Sequence, residues 1–237
     1  MRRLFPISVV AIVVFVLSGV LYAQSADHSV FQVSTYQALK QGIFDNETTF
    51  GELSKEGDFG LGTLNGLDGE MVALNGEFFQ IKADGKVYSI PDHARTPFAV
   101  VTFFVPDKKV SLPKVNTIKG LQAALDDMQP NKNSVLAIKI TATFSQITVR
   151  SVPRQEKPYP GLEEALKHQT EFELKNVRGT LVGFIFPGYM DGVYVPGDHL
   201  HFIAEDKKSG GHVMDCTADK ADIEIAIVSN LSAKLPK

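Results

Sequence analysis

The chain has 237 residues, of which 44% are hydrophobic and 22% charged, and its formal net charge is -3. The sequence is mildly acidic and contains no basic stripe of the kind that binds nucleic acid, so we expect no nucleic-acid partner. The single cysteine, Cys216, excludes an intramolecular disulfide, and we expect it to be buried. Stability must come from burial of apolar side chains, in one large domain or two closely packed ones.

Residues 1–23 have the features of a secretory signal peptide. Arg2 and Arg3 precede a long apolar run that closes on small residues up to Ala23. The polar sequence that follows favours cleavage after Ala23. Retention as a membrane anchor is the alternative, because the run approaches the roughly 20 residues that span a bilayer. Cleavage removes two arginines and no acid, so the net charge changes from -3 to -5. We expect a secreted or periplasmic protein without a membrane segment.

The first half of the mature chain is predicted to be rich in strands. Residues 30–45 predict a short strand followed by a helix that ends near Gly42. Asn-Gly at 75–76 and Asp-Gly at 84–85 separate runs of β-branched and aromatic residues, which predicts two consecutive hairpins. The apolar run 97–106, bounded by prolines, predicts a strand buried on both faces.

The second half contains two more predicted helices between strands. Residues 116–129 predict a helix that Asn116 or Thr117 caps and Pro130 terminates. The alternating run 134–152 predicts one bent strand or two short ones. A third helix is predicted at 161–169, and further strands at 170–187, 193–205 and 212–229.

These elements predict an α+β fold, β-rich, with largely antiparallel or mixed sheets in two closely packed subdomains and a few short helices. The proline-containing and charged stretch 153–160 is the predicted boundary. It separates an N-terminal β-rich subdomain, 24–152, from a C-terminal metal-binding subdomain, 153–237, packed as one catalytic unit. An ordered loop within a single domain is the alternative interpretation.

The stretch "GDHLHFIAEDKKSGGH", residues 197–212, contains three of the six histidines. His199 and His201 are two apart, so in a strand they share a face. A turn in "DKKSGG" can return His212 to that face across a hairpin. A four-residue loop from Asp206 to Ser209 would set His212 opposite Ile203, near His201.

A six-residue loop would instead pair His212 with Glu205, about 13 Å along the strand from His201. That register favours a polar strand face without a metal. Neutral imidazoles suit zinc, iron, nickel or copper, so the cluster alone does not identify the metal. Three protein ligands would leave an open position, as in catalytic zinc sites.

Longer blocks carry a more specific signal. They are "STYQALKQGIFDNETTFGELSKEGDFGLGTLNGLDGEM", "TPFAVVTFF" and "VRSVPRQEKPYPGLEEALKHQTEFELKNVRGTLVGFIFPGYMDGVYVPGDHLHFIAEDKKSGGHVMD". In these blocks, their order and their spacing, the sequence resembles the α-acetolactate decarboxylase family over most of the mature chain.

The resemblance implies a Zn²⁺ ion held by His199, His201 and His212. It also implies a catalytic carboxylate at Glu70 and a catalytic, substrate-binding arginine at Arg150, with Thr63 beside the substrate. Without the resemblance, Glu70 would be an ordinary turn acid and Arg150 an ordinary strand-end charge.

The implied reaction is decarboxylation of 2-acetolactate to acetoin, without an organic cofactor. Zinc chelated by the substrate ketone and hydroxyl would accept the electron pair, Arg150 would hold the carboxylate, and Glu70 would transfer protons. A homodimer is one expected assembly. In some members an acid from a C-terminal tail approaches the metal, but this chain has no Asp or Glu after Glu224. The fourth ligand is therefore unassigned.

Two rival hypotheses remain at this point. A cupin-type metalloenzyme would use His199, His201 and Glu205, since "HLHFIAE" matches part of a cupin motif, although the flanking glycines do not fit its spacing. A non-enzymatic binding module would hold no stoichiometric metal and would tolerate replacement of Glu70 and Arg150.

Overall fold

The computed structural model describes residues 28–236, which form two β-sheets with short helices at their margins. The strands are β1 (Ser29–Val33), β2 (Phe59–Thr63), β3 (Glu70–Leu74), β4 (Glu77–Ile81), β5 (Val87–Ser89), β6 (Ala99–Thr102), β7 (Lys108–Leu112), β8 (Val135–Ser151), β9 (Thr170–Phe186), β10 (Gly197–Ala204), β11 (Gly210–Val228) and β12 (Asn230–Lys234). The helices are α1 (Tyr36–Lys40), α2 (Phe50–Leu53), α3 (Ile118–Met128) and α4 (Leu162–Leu166), with a 3-10 turn at Gly188–Met190. The predicted β-rich α+β class is confirmed.

The predicted signal segment, residues 1–23, lies outside the described residues. Within residues 28–236 no helix combines the length and apolar character needed to cross a bilayer.

The first sheet has seven strands in the order β12-β1-β6-β2-β3-β4-β5. All its neighbouring strands are antiparallel except β1 and β12, which are parallel. The predicted hairpins at 75–76 and 84–85 are confirmed as the β3–β4 and β4–β5 turns. The predicted buried strand is β6, which lies between β1 and β2 and ends at Thr102, one residue before the exposed Phe103.

The second sheet is strongly curved, and its first strand in sheet order, β10, also pairs with β11. Its order is β10-β9-β8-β11-β7, and the beginning of β11 pairs with β10 as well as with β8. The run 134–152 contains one strand, β8, and not two. Its pairing with β11 shifts register at three places, and irregularities of this kind let long strands bend. This closure brings the ends of β8, β10 and β11 together.

Side-chain caps define most helix starts. Thr117 caps α3 by accepting a hydrogen bond from the Gly120 N–H, which decides between the two predicted caps. Helix α2 was not predicted, although Thr49 and Glu52 form a reciprocal capping box at its start. Its four residues are too few to show a helical repeat of apolar positions.

The main core lies between the two sheets. Val72 and Ile81 from the first sheet meet Phe184 and Ile203 from the second. The opposite face of the second sheet packs around α3, and the predicted burial of Cys216 in that cluster is confirmed.

The predicted boundary at 152/153 does not coincide with the change of sheet. Strands β7 and β8 precede it but already belong to the second sheet, and β12 returns to the first. The chain therefore crosses between the sheets near residues 102–108 and again near 229. Division into the subdomains 24–152 and 153–237 stays a prediction.

Candidate metal centre

A cavity of about 290 Å³ opens between the two sheets, against α1 and α4. Its polar wall consists of Thr63, Glu70, Arg150, Asp198, His199, His201 and His212. Its apolar wall includes Leu39, Leu67, Phe98, Leu162, Leu166 and Val195, with Tyr36 beside them. All six residues assigned from the resemblance thus line one space, although their positions span 150 residues of sequence.

The three histidines form a compact group. One ligand atom from each of His199, His201 and His212 can be chosen so that all three lie within 4.8 Å of one another. His199 and His201 project from the same face of β10, as predicted. His212 lies directly opposite His201 in the hairpin and also pairs with Arg150 on β8.

The predicted hairpin register is wrong. Ile203 pairs with Gly210, whereas His212 was predicted to lie opposite Ile203 or Glu205. The loop has four residues but begins one residue earlier, since the Ala204 N–H donates to the Ser209 carbonyl. Asp206 accepts a hydrogen bond from the Lys208 N–H, which stabilises the turn locally. The observed register brings His212 closer to His201 than either alternative.

Two of the imidazoles are oriented by hydrogen bonds to their Nδ1 atoms, on the side of the ring away from the cluster. His201 Nδ1 lies 2.9 Å from the carbonyl oxygen of Met71 on β3. His199 Nδ1 lies 3.1 Å from the hydroxyl of Tyr194. The Nε2 atoms of these two rings approach each other to 3.1 Å. The outer nitrogens therefore fix the rings while both Nε2 atoms converge, which is how histidine ligands are usually oriented.

Burial keeps the histidines neutral. It lowers the pKa of His201 below the ordinary value of 6.5 and the pKa of His199 and His212 well below it. The charge of Arg150 lowers all three further, whereas the Glu70 carboxylate partly opposes the change at His201. Neutral imidazole is the form that binds metal ions.

Glu70 and Arg150 form an ion pair beside the histidines. Arg150 Nη1 lies 2.8 Å from Glu70 Oε1, and Glu70 Oε2 lies 3.3 Å from His201 Nε2. Thr63 is the cross-strand neighbour of Glu70, and its hydroxyl donates to the Gly69 carbonyl at 2.6 Å. The β2–β3 connection therefore presents the carboxylate and a hydroxyl oxygen to the same cavity.

The residues present fit a metal ion. His212 Nδ1 is buried and has no hydrogen-bond partner among the described residues, which would be costly in a site without a ligand. Three neutral nitrogens that converge beside a carboxylate match the donor set of a zinc or other transition-metal site.

Glu205, the ligand in the cupin-type alternative, lies elsewhere. It occupies the turn after β10, where its side chain is 69% exposed and pairs with Arg178 at 3.1 Å. The histidines instead face the opposite sheet. The alternative set of His199, His201 and Glu205 is therefore not brought together.

Tyr194 and Asp198 are residues of the site that the sequence did not reveal. Asp198 lines the cavity, and its carboxylate accepts a hydrogen bond from the Gln122 amide at 2.8 Å. Tyr194 contacts His199. It lies outside strand β10, in the connection that follows the 3-10 turn, and no motif marks it. Its spacing of five residues from His199 corresponds to no regular strand or helix face. Only the folded connection brings the hydroxyl to the ring.

Comparisons with known proteins agree with this architecture. The family model for alpha-acetolactate decarboxylase matches residues 30–237. The alpha-acetolactate decarboxylase of Methylococcus capsulatus is 51% identical over 211 residues, covering 89% of this chain and 81% of that protein. The Bacillus subtilis enzyme is 40% identical over 207 residues, covering 87% and 81%. A crystal structure of the enzyme from B. subtilis strain 168 superposes with a TM-score of 0.86 at 39% identity, covering 88% of this chain and 89% of that one.

Proposed function

The chain belongs to the alpha-acetolactate decarboxylase family, and from this premise we propose that it converts 2-acetolactate to acetoin in a zinc-dependent reaction. The observation that carries the proposal is the convergence of three neutral histidines, a carboxylate and a guanidinium on one cavity. We assign Zn²⁺ to His199, His201 and His212. The fourth ligand stays unassigned.

The reaction sets three chemical requirements. The bond between the carboxylate and the hydroxyl-bearing carbon breaks, and its electron pair must be delocalised into the neighbouring ketone. That carbon then takes up one proton, so the acetolactate anion and a proton yield acetoin and carbon dioxide. A site for this reaction needs an anchor for the carboxylate, an electron acceptor and a proton donor. When bound, Zn²⁺ would supply a Lewis acid that polarises the ketone.

Arg150 is the proposed anchor. Its contact with Glu70 uses Nη1, whereas a guanidinium carries five N–H donors in a planar fork that matches a carboxylate. The side chain is only 13% exposed, so competition from water is weak. A substrate carboxylate held by Arg150 would lie beside Glu70. The carbon to which that carboxylate is attached, and which must later be protonated, would then be close to Glu70.

Glu70 is the proposed proton carrier. Oε1 is fixed by Arg150 and Oε2 lies beside His201, so the carboxylate has one orientation at the wall of the cavity. From there it would accept the substrate hydroxyl proton and pass it to the carbon from one side, and a proton from water would then restore the hydroxyl group of acetoin. Thr63 donates its own hydrogen to Gly69, so its oxygen remains an acceptor for a substrate hydroxyl.

Acetoin production with and without a chelator tests the function. The protein is incubated with 2-acetolactate, then treated with a chelator and finally resupplied with Zn²⁺. We expect acetoin to form, to stop forming and to recover in that order. Folded, zinc-loaded protein that forms no acetoin would disprove the proposal, and protein that holds no stoichiometric metal would favour a binding module. The secreted or periplasmic location and the homodimer stay predictions.

A further inference from the structure

Tyr194 is fixed behind His199 by aromatic packing. The residue is fully buried, and its ring stacks on Phe186 at a centroid distance of 3.9 Å and faces Phe98 at 5.8 Å. The hydroxyl lies 3.1 Å from His199 Nδ1. Because apolar neighbours hold the ring, the position of the hydroxyl does not depend on its contact with histidine.

The contact of His201 with a backbone carbonyl assigns its tautomer. The Met71 carbonyl only accepts hydrogen bonds, so His201 Nδ1 donates to it and the Nε2 of a neutral His201 is an acceptor. His199 Nε2 lies 3.1 Å from that atom, and a hydrogen bond between the two would require His199 to donate. In this arrangement His199 Nδ1 carries no hydrogen, and it accepts the hydroxyl hydrogen of Tyr194.

A metal ion on His199 Nε2 requires the opposite tautomer. The proton must leave Nε2 and reside on Nδ1, where it needs an acceptor in a buried environment. A hydroxyl can serve in both cases, since it donates by its hydrogen and accepts by its lone pairs without moving its oxygen.

We infer that Tyr194 is a positioning residue for His199, whose hydroxyl holds the ring in one orientation and stabilises the Nδ1–H tautomer that leaves Nε2 available to a metal. The inference rests on the metal centre proposed above. It assigns to Tyr194 a role in metal affinity and no contact with the substrate.

The substitution Tyr194→Phe tests this role because it removes the hydroxyl and keeps the stacked ring. The matched control is Tyr159→Phe, which also removes one hydroxyl hydrogen bond, to Asp45 at 3.1 Å, but outside the cavity. Zn²⁺ affinity is measured by competition with a chromophoric chelator. We expect roughly 10–100-fold weaker binding in Tyr194→Phe and an unchanged constant in the control. Equal affinity in Tyr194→Phe and the wild type would overturn the inference.

Nitrogen-15 NMR of the wild-type protein loaded with Zn²⁺ gives a second measurement that does not depend on whether the variant folds. We expect His199 to carry its hydrogen on Nδ1 with the downfield proton shift of a hydrogen bond, and a hydrogen on Nε2, or an Nδ1 hydrogen without that shift, would overturn the inference. Wild-type protein that binds no Zn²⁺ would disprove the metal centre and this inference with it. Tight wild-type binding that Tyr194→Phe leaves unchanged would disprove the inference alone.

Discussion

Arg150 Nη1 lies 2.8 Å from Glu70 Oε1, and this ion pair joins the two sheets at the wall of the cavity. Glu70 begins β3, and Arg150 lies one residue before the end of β8. The two side chains are 8% and 13% exposed. Truncating either one would leave its partner nearly buried without a counter-charge, which is strongly destabilising. Substitutions that keep size or charge therefore test function better than truncation to alanine.

Glu70→Gln keeps the shape of the side chain and removes its ability to accept a proton. We expect kcat to fall by roughly 10²–10⁴-fold because a general acid and base is lost. Zn²⁺ content should stay stoichiometric, since the three histidines are unchanged. Steady-state kinetics and metal analysis provide the measurements.

The control for this substitution is Glu77→Gln, which changes an exposed glutamate on the neighbouring strand, outside the cavity. We expect its kcat to equal that of the wild type. A Glu70→Gln variant that retained the wild-type kcat would contradict the role of Glu70 in proton transfer.

Arg150→Lys keeps the positive charge and loses the planar fork. We expect kcat/KM to fall about 100-fold, in keeping with roughly 1.5–3 kcal/mol for a hydrogen bond to a charged group. Arg178→Lys is the control, because Arg178 pairs with Glu205 at the surface. Kinetics at several substrate concentrations separate KM from kcat. Unchanged values of both in Arg150→Lys would contradict the assignment of Arg150 as carboxylate anchor.

Patterns within single segments predicted much of the fold. The hairpins at 75–76 and 84–85 follow from Asn-Gly and Asp-Gly turns, and the cap of α3 follows from Thr117. The turn after β10 was placed one residue late, because its position depends on the Ala204–Ser209 hydrogen bond, which composition does not reveal. Pairing between distant segments, such as β12 with β1, leaves no local pattern either.

The residues of the site also differ in whether a local sequence pattern predicts them. The shared face of His199 and His201 follows from their spacing in a strand. By contrast, Glu70 and Arg150 were assigned only through the family resemblance, since 80 residues separate these partners. Tyr194 was missed altogether. Its function depends on where an irregular connection places one hydroxyl, and no sequence period encodes that position.

The metal-ligand set is tested by single substitutions of the histidines and of the rival ligand. We expect His199→Ala, His201→Ala and His212→Ala each to lose stoichiometric Zn²⁺, because two imidazoles are fewer than the three protein ligands that hold a catalytic zinc ion. Glu205→Gln should retain Zn²⁺, since this side chain is exposed at the turn. Metal analysis of dialysed proteins gives the result. Loss of metal in Glu205→Gln together with retention in His212→Ala would favour the cupin-type set.

Gly211 places His212 at the closure of the second sheet. Its φ is +144°, and a Cβ there would lie 2.6 Å from the carbonyl oxygen of Arg150. We expect Gly211→Ala to lower the free energy of unfolding by about 1–3 kcal/mol and to weaken Zn²⁺ binding, since the backbone must shift beside His212. Gly188→Ala is the control, because a Cβ there meets no atom within 4 Å. Denaturant unfolding measures the stability of both variants. A Gly211→Ala variant as stable as the wild type would refute the steric argument.

The buried histidines should make the stability of chelator-treated protein depend on pH. Burial lowers the pKa of His199, His201 and His212 below 6.5 in the folded chain, whereas the unfolded chain titrates near that ordinary value. As the pH falls below 6.5, the unfolded chain therefore binds protons that the folded chain does not. The free energy of unfolding then decreases, with a limiting slope of about 1.4 kcal/mol per pH unit for each histidine that stays neutral.

Urea unfolding between pH 6.5 and 4.5 should show a shallower slope for His212→Asn than for the wild type. His168→Asn, which changes an exposed histidine outside the cavity, is the control. Equal slopes in the wild type and His212→Asn would show that His212 is not held neutral by burial.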